Sequence, residues 1–356
     1  MLRSSLVRLA VAGSLWGCGN PGGNLGLSPQ TFAFSTEGGA TGGPIRMYRV
    51  QDSGLEPGIQ QTPDDEFYGD LAVHPGRPLL LAARGTPALT AFRVDPGSGS
   101  LSRVAETLVE GKLESDDQVL IHPAGRLLCL FQNQEIRLFT LTSDRGAVAQ
   151  LQVLAPAGAG DLNHGTFDRE GRFLYAVDRA GGKVYGYKVE GASLAPIAND
   201  PLVQLPGATL RAAYLEPENR YLYVLDDNYD RICCYARKAD GTLSENGSLS
   251  VGPAPAPCTA LTGRGRQLFL SEASQTTTRL IRLGQAGEMS LQSSYPGGGH
   301  RLKVVGELPL LLVGDTTLGS LRLQKVTAAQ ELNSTEGQPI ARAPLDLECL
   351  TLTRNR

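Results

Sequence analysis

Few residues in this sequence stand at spacings that could do chemistry. The chain has 356 residues, with four histidines and six cysteines. His74 and His122 open two similar phrases, "HPGRPLLLAARG" and "HPAGRLLCLFQN", and Asp168 and Glu216 take the same place in two further copies. A place shared by imidazoles and carboxylates reads as a turn, because repeated copies of it cannot all line one active site. His300 follows three glycines in "GGGHR". No helix start follows it, so the segment is not a phosphate cradle. Cys233 and Cys234 are adjacent, and no C-x-x-C pair occurs, which argues against zinc and dithiol redox chemistry. Adjacent residues on a strand face opposite sides, so the cysteines beyond Cys18 read as buried thiols. Two acidic runs, "PDDEF" and "LESDDQ", offer carboxylates without the spacing of a calcium loop. Nucleophile-elbow, Walker and HExxH motifs are absent. No metal and no cofactor is expected.

The elements that would position such residues are repeats. An Arg precedes an apolar run at Arg77, Arg126, Arg172, Arg220 and Arg266, every 46 to 49 residues. Weaker copies begin at Thr31 and Leu308, which makes seven. Each copy holds short runs rich in Leu, Val, Tyr and Phe, separated by turns, with 43 glycines and 22 prolines in the whole chain. Such runs read as strands. Four strands at this period match a propeller blade, and an isolated blade cannot bury both of its faces. The expected fold is all-β: a seven-bladed β-propeller of four-stranded blades over residues 31–353, with no significant helix. The first copy begins at its second strand, while "APLDLECLTLT" near the C-terminus is a strand without successors. The late strand is therefore expected to complete the first blade and close the ring.

The phrases of the form "HPGR", followed by an apolar strand, and the segments "GATLR" and "GHR" before inner strands resemble the lactonase propellers. That family includes propeller-type 6-phosphogluconolactonases and carboxymuconate-cyclising enzymes. The resemblance covers residues 31–353. It implies a site at one mouth of the central channel, built from a His on one inner strand, an Arg and a Glu from the next blade, and an Arg from the blade after. A lactone carbonyl needs a base to activate water and cationic donors for the oxyanion. In this sequence the place of the His is taken by Asn163, with His164 next to it. A one-residue shift along a strand reverses the face unless a bulge intervenes. The Arg is matched by Arg211, the Glu by Asp227, and the second Arg by Ala273. Arg301, beside His300, matches a further family Arg. The resemblance thus implies Arg211, Asp227 and His164 as catalytic residues, and Asn163, Arg301 and His300 as binding residues.

The N-terminus reads as a leader. Arg3 and Arg8 precede the apolar "LAVAGSLWG", and Cys18 follows in "LWGC", which resembles a bacterial lipobox. The expectation is a signal peptide over 1–17, lipidation at Cys18, and a flexible tether over 18–30. The apolar stretch is too short to span a bilayer, so a lipid anchor would be the only membrane contact. Gly19, not Asp, follows the Cys, which points to the outer membrane of a bacterial envelope. A formal charge of −3 gives no field for nucleic acid. Two functions are expected to compete: a binding propeller with a degenerate catalytic set, or a lactone hydrolase. The first is favoured, since two of the four implied positions are changed outright, to Asn163 and Ala273. The expected partner is a small lactone or carboxylate, or an envelope protein, and the protein is expected to be a monomer.

Overall fold

In the computed structural model, the described residues run from 31 to 351, apart from 38–42, 52, 64–65, 86, 112–116, 143–145, 229, 252–257, 273–276, 297–300, 305–309, 316–319, 327–331, 335–337 and 340–343. The expected leader, Cys18 and tether therefore lie outside the described residues. So do Asp64, Asp65 and 113–116 of the acidic runs.

The described residues form seven antiparallel sheets and no helix. We number them as blades by their strands. Blade 2 covers 68–108, blade 3 covers 118–154, blade 4 covers 162–204, blade 5 covers 210–250, blade 6 covers 258–296 and blade 7 covers 301–339. Blade 1 combines 31–60 with the last strand, Pro344–Thr351, which pairs antiparallel with Thr31–Glu37. The closing strand is thus the inner strand of the first blade, as its sequence position suggested. Successive inner strands adjoin all the way round, from blade 1 through blade 7 and back to blade 1.

The second strand of each blade explains why the ring must form. "LLLAAR", "LLCLFQ", "FLYAVD" and "YLYVLD" are buried almost throughout, as expected for a continuous apolar run covered on both faces. Alternate residues of one strand enter different cores. Leu174 and Ala176 pack against blade 3, whereas Phe173, Tyr175 and Val177 pack against blade 5. Cys233 and Cys234 divide in the same way between the cores on either side of blade 5. The buried residues form seven clusters, one at each blade boundary, including the one between blades 7 and 1. Outer strands face water on one side and are mostly exposed.

Glycine is required where inner strands crowd a neighbour. A Cβ at Gly165 would lie 2.1 Å from Phe131 Cζ, a ring wholly buried in the core between blades 3 and 4.

Removing residues 344–356 leaves blade 1 without its inner strand and exposes the edge of Thr31–Glu37. The truncated chain should lose its cooperative thermal transition or aggregate, as followed by circular dichroism and light scattering. A transition at an unchanged temperature would show that ring closure does not depend on this strand.

Candidate functional site

The inner strands of blades 2, 4, 5 and 6 share an irregularity close to one mouth of the channel, which in blade 2 falls between Tyr68 and Leu71. Their register with the second strand slips between Leu162 and His164, between Leu210 and Ala212, and between Cys258 and Ala260. Each slip is a bulge, which leaves one residue unpaired and re-aims its neighbours. Asn163 and Arg211 are the bulged residues of blades 4 and 5. The family-matched His and Arg positions therefore coincide with equivalent bulges in this chain.

At the mouth, Arg211 Nε donates to Asp227 Oδ2 at 2.5 Å. Asp227 sits in the turn after the second strand of blade 5, where its N–H donates to Thr209 O at 2.9 Å. Its side chain is only 8% exposed, and its Oδ1 is buried without a hydrogen-bond partner among the described residues. Asn163 Oδ1 is in the same condition. A buried acceptor without a donor is costly, and Asn163 and Asp227 lie on adjacent blades, 4 and 5. Of the matched residues, the structure therefore brings Arg211 and Asp227 into one ion pair. Arg301 opens the inner strand of blade 7 opposite Gly314, but its side chain, His300 and Ala273 lie outside the described set. Arg301 stands at the same level as His164, which pairs with Val177, since each partner is the penultimate residue of its second strand.

His164 does something the sequence did not announce. Its Nε2 donates to Ala213 O on the inner strand of blade 5, at 3.3 Å. The same inter-blade contact recurs twice. Gln118 Oε1 accepts from Gly165 N of blade 4 at 2.6 Å, and Asp70 Oδ2 accepts from Val119 N of blade 3 at 2.6 Å. Asp70, Gln118 and His164 each stand four residues before the turn residues His74, His122 and Asp168. They are one repeated position, and each latches a side chain onto the next inner strand's backbone. The need is physical. An inner strand has a free edge facing the channel, and its outward N–H and C=O groups require partners. The repeat spacing carried this signal.

The opposite mouth has its own ring. His74 accepts from Gly76 N at Nδ1 and donates from Nε2 to Gly125 O at 2.9 Å. His122 repeats this with Ala124 N and Gly171 O. Tyr214 donates to Gly265 O at 3.1 Å, and Asn219 Oδ1 accepts from Arg169 N at 3.0 Å. These histidines are turn and blade-boundary residues, as their repetition implied. The recurring arginines staple their turns: Arg172 reaches Asp168 and Glu170, and Arg220 reaches Glu216 and Glu218.

Burial, opposed by the bond to Ala213 and aided by the Lys303 ammonium, brings the His164 imidazole down to about 4. The ring is half-buried, but it faces the narrow channel, which accounts for its poor solvation. The folded value lies below the free value of 6.5. The unfolded chain therefore binds the proton first on acidification, and this part of the stability falls as pH drops from about 6.5 to about 4. His74 is also lowered by burial and adds to the same trend. His164→Gln should keep the latch, as Gln118 does with oxygen and as the Gln amide N–H can do towards Ala213, and should flatten the acid side of the stability profile. His164→Ala should cost about 1–2 kcal/mol by orphaning the carbonyl. Urea unfolding across this pH range tests both. An acid slope unchanged in His164→Gln would place the titrating group elsewhere.

The pattern described as "Lactonase, 7-bladed beta-propeller" matches residues 118–304, more than half of the chain. A 6-phosphogluconolactonase of Enterobacter sp. is 29% identical over 180 residues, which are 50% of this chain and 50% of that protein. The match thus spans about half the length of that curated relative. Among solved structures, a protein from Lactobacillus plantarum superimposes with TM-score 0.78 at 14% identity, covering 90% of this chain and 99% of that one. The periplasmic gluconolactonase of Pseudomonas aeruginosa does so with TM-score 0.72 at 15% identity, over 90% and 99%. The structural likenesses establish the fold, and the sequence match across blades 3 to 6 and the inner strand of blade 7 establishes that the chain belongs to the lactonase family of seven-bladed β-propellers.

Proposed function

We propose that this lactonase-family propeller, similar to 6-phosphogluconolactonases, binds a small polar ligand at the mouth between blades 4 and 5 and no longer hydrolyses it. The supporting observation is the bond from His164 to Ala213. It ties the one imidazole near the mouth among the described residues to a structural role, and the low pKa of that imidazole makes it a poor base at neutral pH. Arg211 is compensated by Asp227 rather than left as an oxyanion donor, and loss of one positioned donor costs roughly a hundredfold or more in rate. What remains suits recognition: Arg211 to donate, and Asp227 Oδ1 and Asn163 Oδ1 to accept.

One observation favours hydrolysis as the second reading. Since a carbonyl can only accept, the proton of His164 resides on Nε2 and the lone pair on Nδ1, which has no partner among the described residues. With Asp227 or His164 taking a proton from water and Arg211 or Arg301 facing the carbonyl oxygen, a lactone could open to a hydroxy acid. A lactone panel, including sugar lactones, separates the readings. We expect turnover at the buffer rate for every member, and a ligand-induced rise in melting temperature that Arg211→Ala weakens by about tenfold in affinity. Turnover that Arg211→Ala abolishes would establish the hydrolase.

The leader adds a location to this proposal. A monomer carrying lipid on Cys18 would work in a bacterial envelope, and the likeness to a periplasmic gluconolactonase is compatible with that. Labelling cells with a tagged palmitate should mark the full chain and leave Cys18→Ala unmarked. Equal labelling of both would remove the lipid anchor.

A further inference from the structure

Arg126 differs from other recurring arginines in what surrounds it. Arg172 and Arg220 pair with carboxylates of their own turns, and Arg266 pairs with Glu218 of the preceding blade. In the turn of Arg126 the corresponding places hold His122 and Ala124, and the turn of the preceding blade, 74–77, holds no acid. The Arg126 guanidinium has no hydrogen bond or ion pair among the described residues. It lines a cavity of about 550 Å³ between blades 3 and 4, where His122 meets Gly171 on the face opposite the Arg211 mouth. That volume suits a small organic ligand. Leu127 and Val189 belong to the core between these blades and give the cavity apolar wall. Glu170 lines it from blade 4. Its Oε2 takes both of its bonds, from Arg172 and Asn219, and its Oε1 accepts none among the described residues.

We infer that this cavity binds a free α-amino acid with an apolar side chain. An unpaired guanidinium is a two-pronged donor for the α-carboxylate. Glu170 Oε1 accepts from the α-ammonium, and the side chain covers Leu127 and Val189. A zwitterion answers both charges of the cavity, whereas a simple anion would face the Glu170 carboxylate without offering it a donor. The next boundary, between blades 4 and 5, lacks this arrangement. There the equivalent residues are Arg172 and Glu218, and each is held by partners of opposite charge. The cavity lies outside the channel and shares no residue with the Arg211–Asp227 pair, so its occupant is independent of the reading given to that pair.

Calorimetric titration of the purified full chain with L-leucine, N-acetyl-L-leucine and L-leucinamide tests it. Leucine should bind about tenfold more tightly than either derivative, since each derivative lacks one of the two charges. Arg126→Met should weaken leucine by about tenfold. Glu170→Gln keeps an oxygen for Arg172 and Asn219 but removes the charge, so it should bring leucine and N-acetyl-leucine level. Both side chains are on the surface, and circular dichroism should show both variants folded. Arg211→Ala should leave leucine binding unchanged. N-acetyl-leucine bound as tightly as leucine by the unaltered protein would reduce the site to an anion contact and overturn the assignment. So would leucine binding that Arg126→Met does not weaken, or the absence of leucine binding to the unaltered protein.

Discussion

A sheet that is apolar on both faces has no stable existence alone, and the rest of this structure depends on that constraint. Each blade carries a second strand buried on both sides, so each must be flanked twice. Seven clusters at seven boundaries satisfy this only if the last boundary, between blades 7 and 1, forms as well. The closing strand Pro344–Thr351 completes the blade on one side of that boundary. Ring closure is therefore a packing requirement, and the channel is its by-product.

The channel creates a second problem. Seven inner strands present free edges to a narrow polar space, where water reaches them poorly. The chain answers with side chains at one repeated place, so that Asp70, Gln118 and His164 each reach the next blade's backbone. The chemistry varies because the partner varies: an acceptor meets an N–H in two cases, and a donor meets a C=O in the third. Function is built on what this layer leaves over. At the mouth the bulges leave Asn163 and Arg211 unpaired with the second strand and available to a ligand.

At His164 a family likeness and the internal repeat point to different roles. Its neighbour Asn163 holds the matched place, and the bulge that sets the register of His164 recurs in blades 2, 5 and 6. A single imidazole on an inner strand invites a catalytic reading. Its equivalents in blades 2 and 3 are a carboxylate and an amide, which share only the capacity to hydrogen-bond the neighbouring backbone.

The sequence by itself determined the fold, the number of blades and the closure, because these follow from apolar runs, turn residues and a period that any strand pattern must obey. It also determined that His74 and His122 are turn residues, since their places repeat. It paired Arg211 with Asp227 only through a family likeness, and it could not show that Asp227 keeps one buried oxygen unpartnered. Only the tertiary structure decided what His164, Gln118 and Lys303 face. Their neighbours lie one to three blades away round the ring, at separations of about fifty residues or more, and strand periodicity carries no information about which side chains meet across a channel.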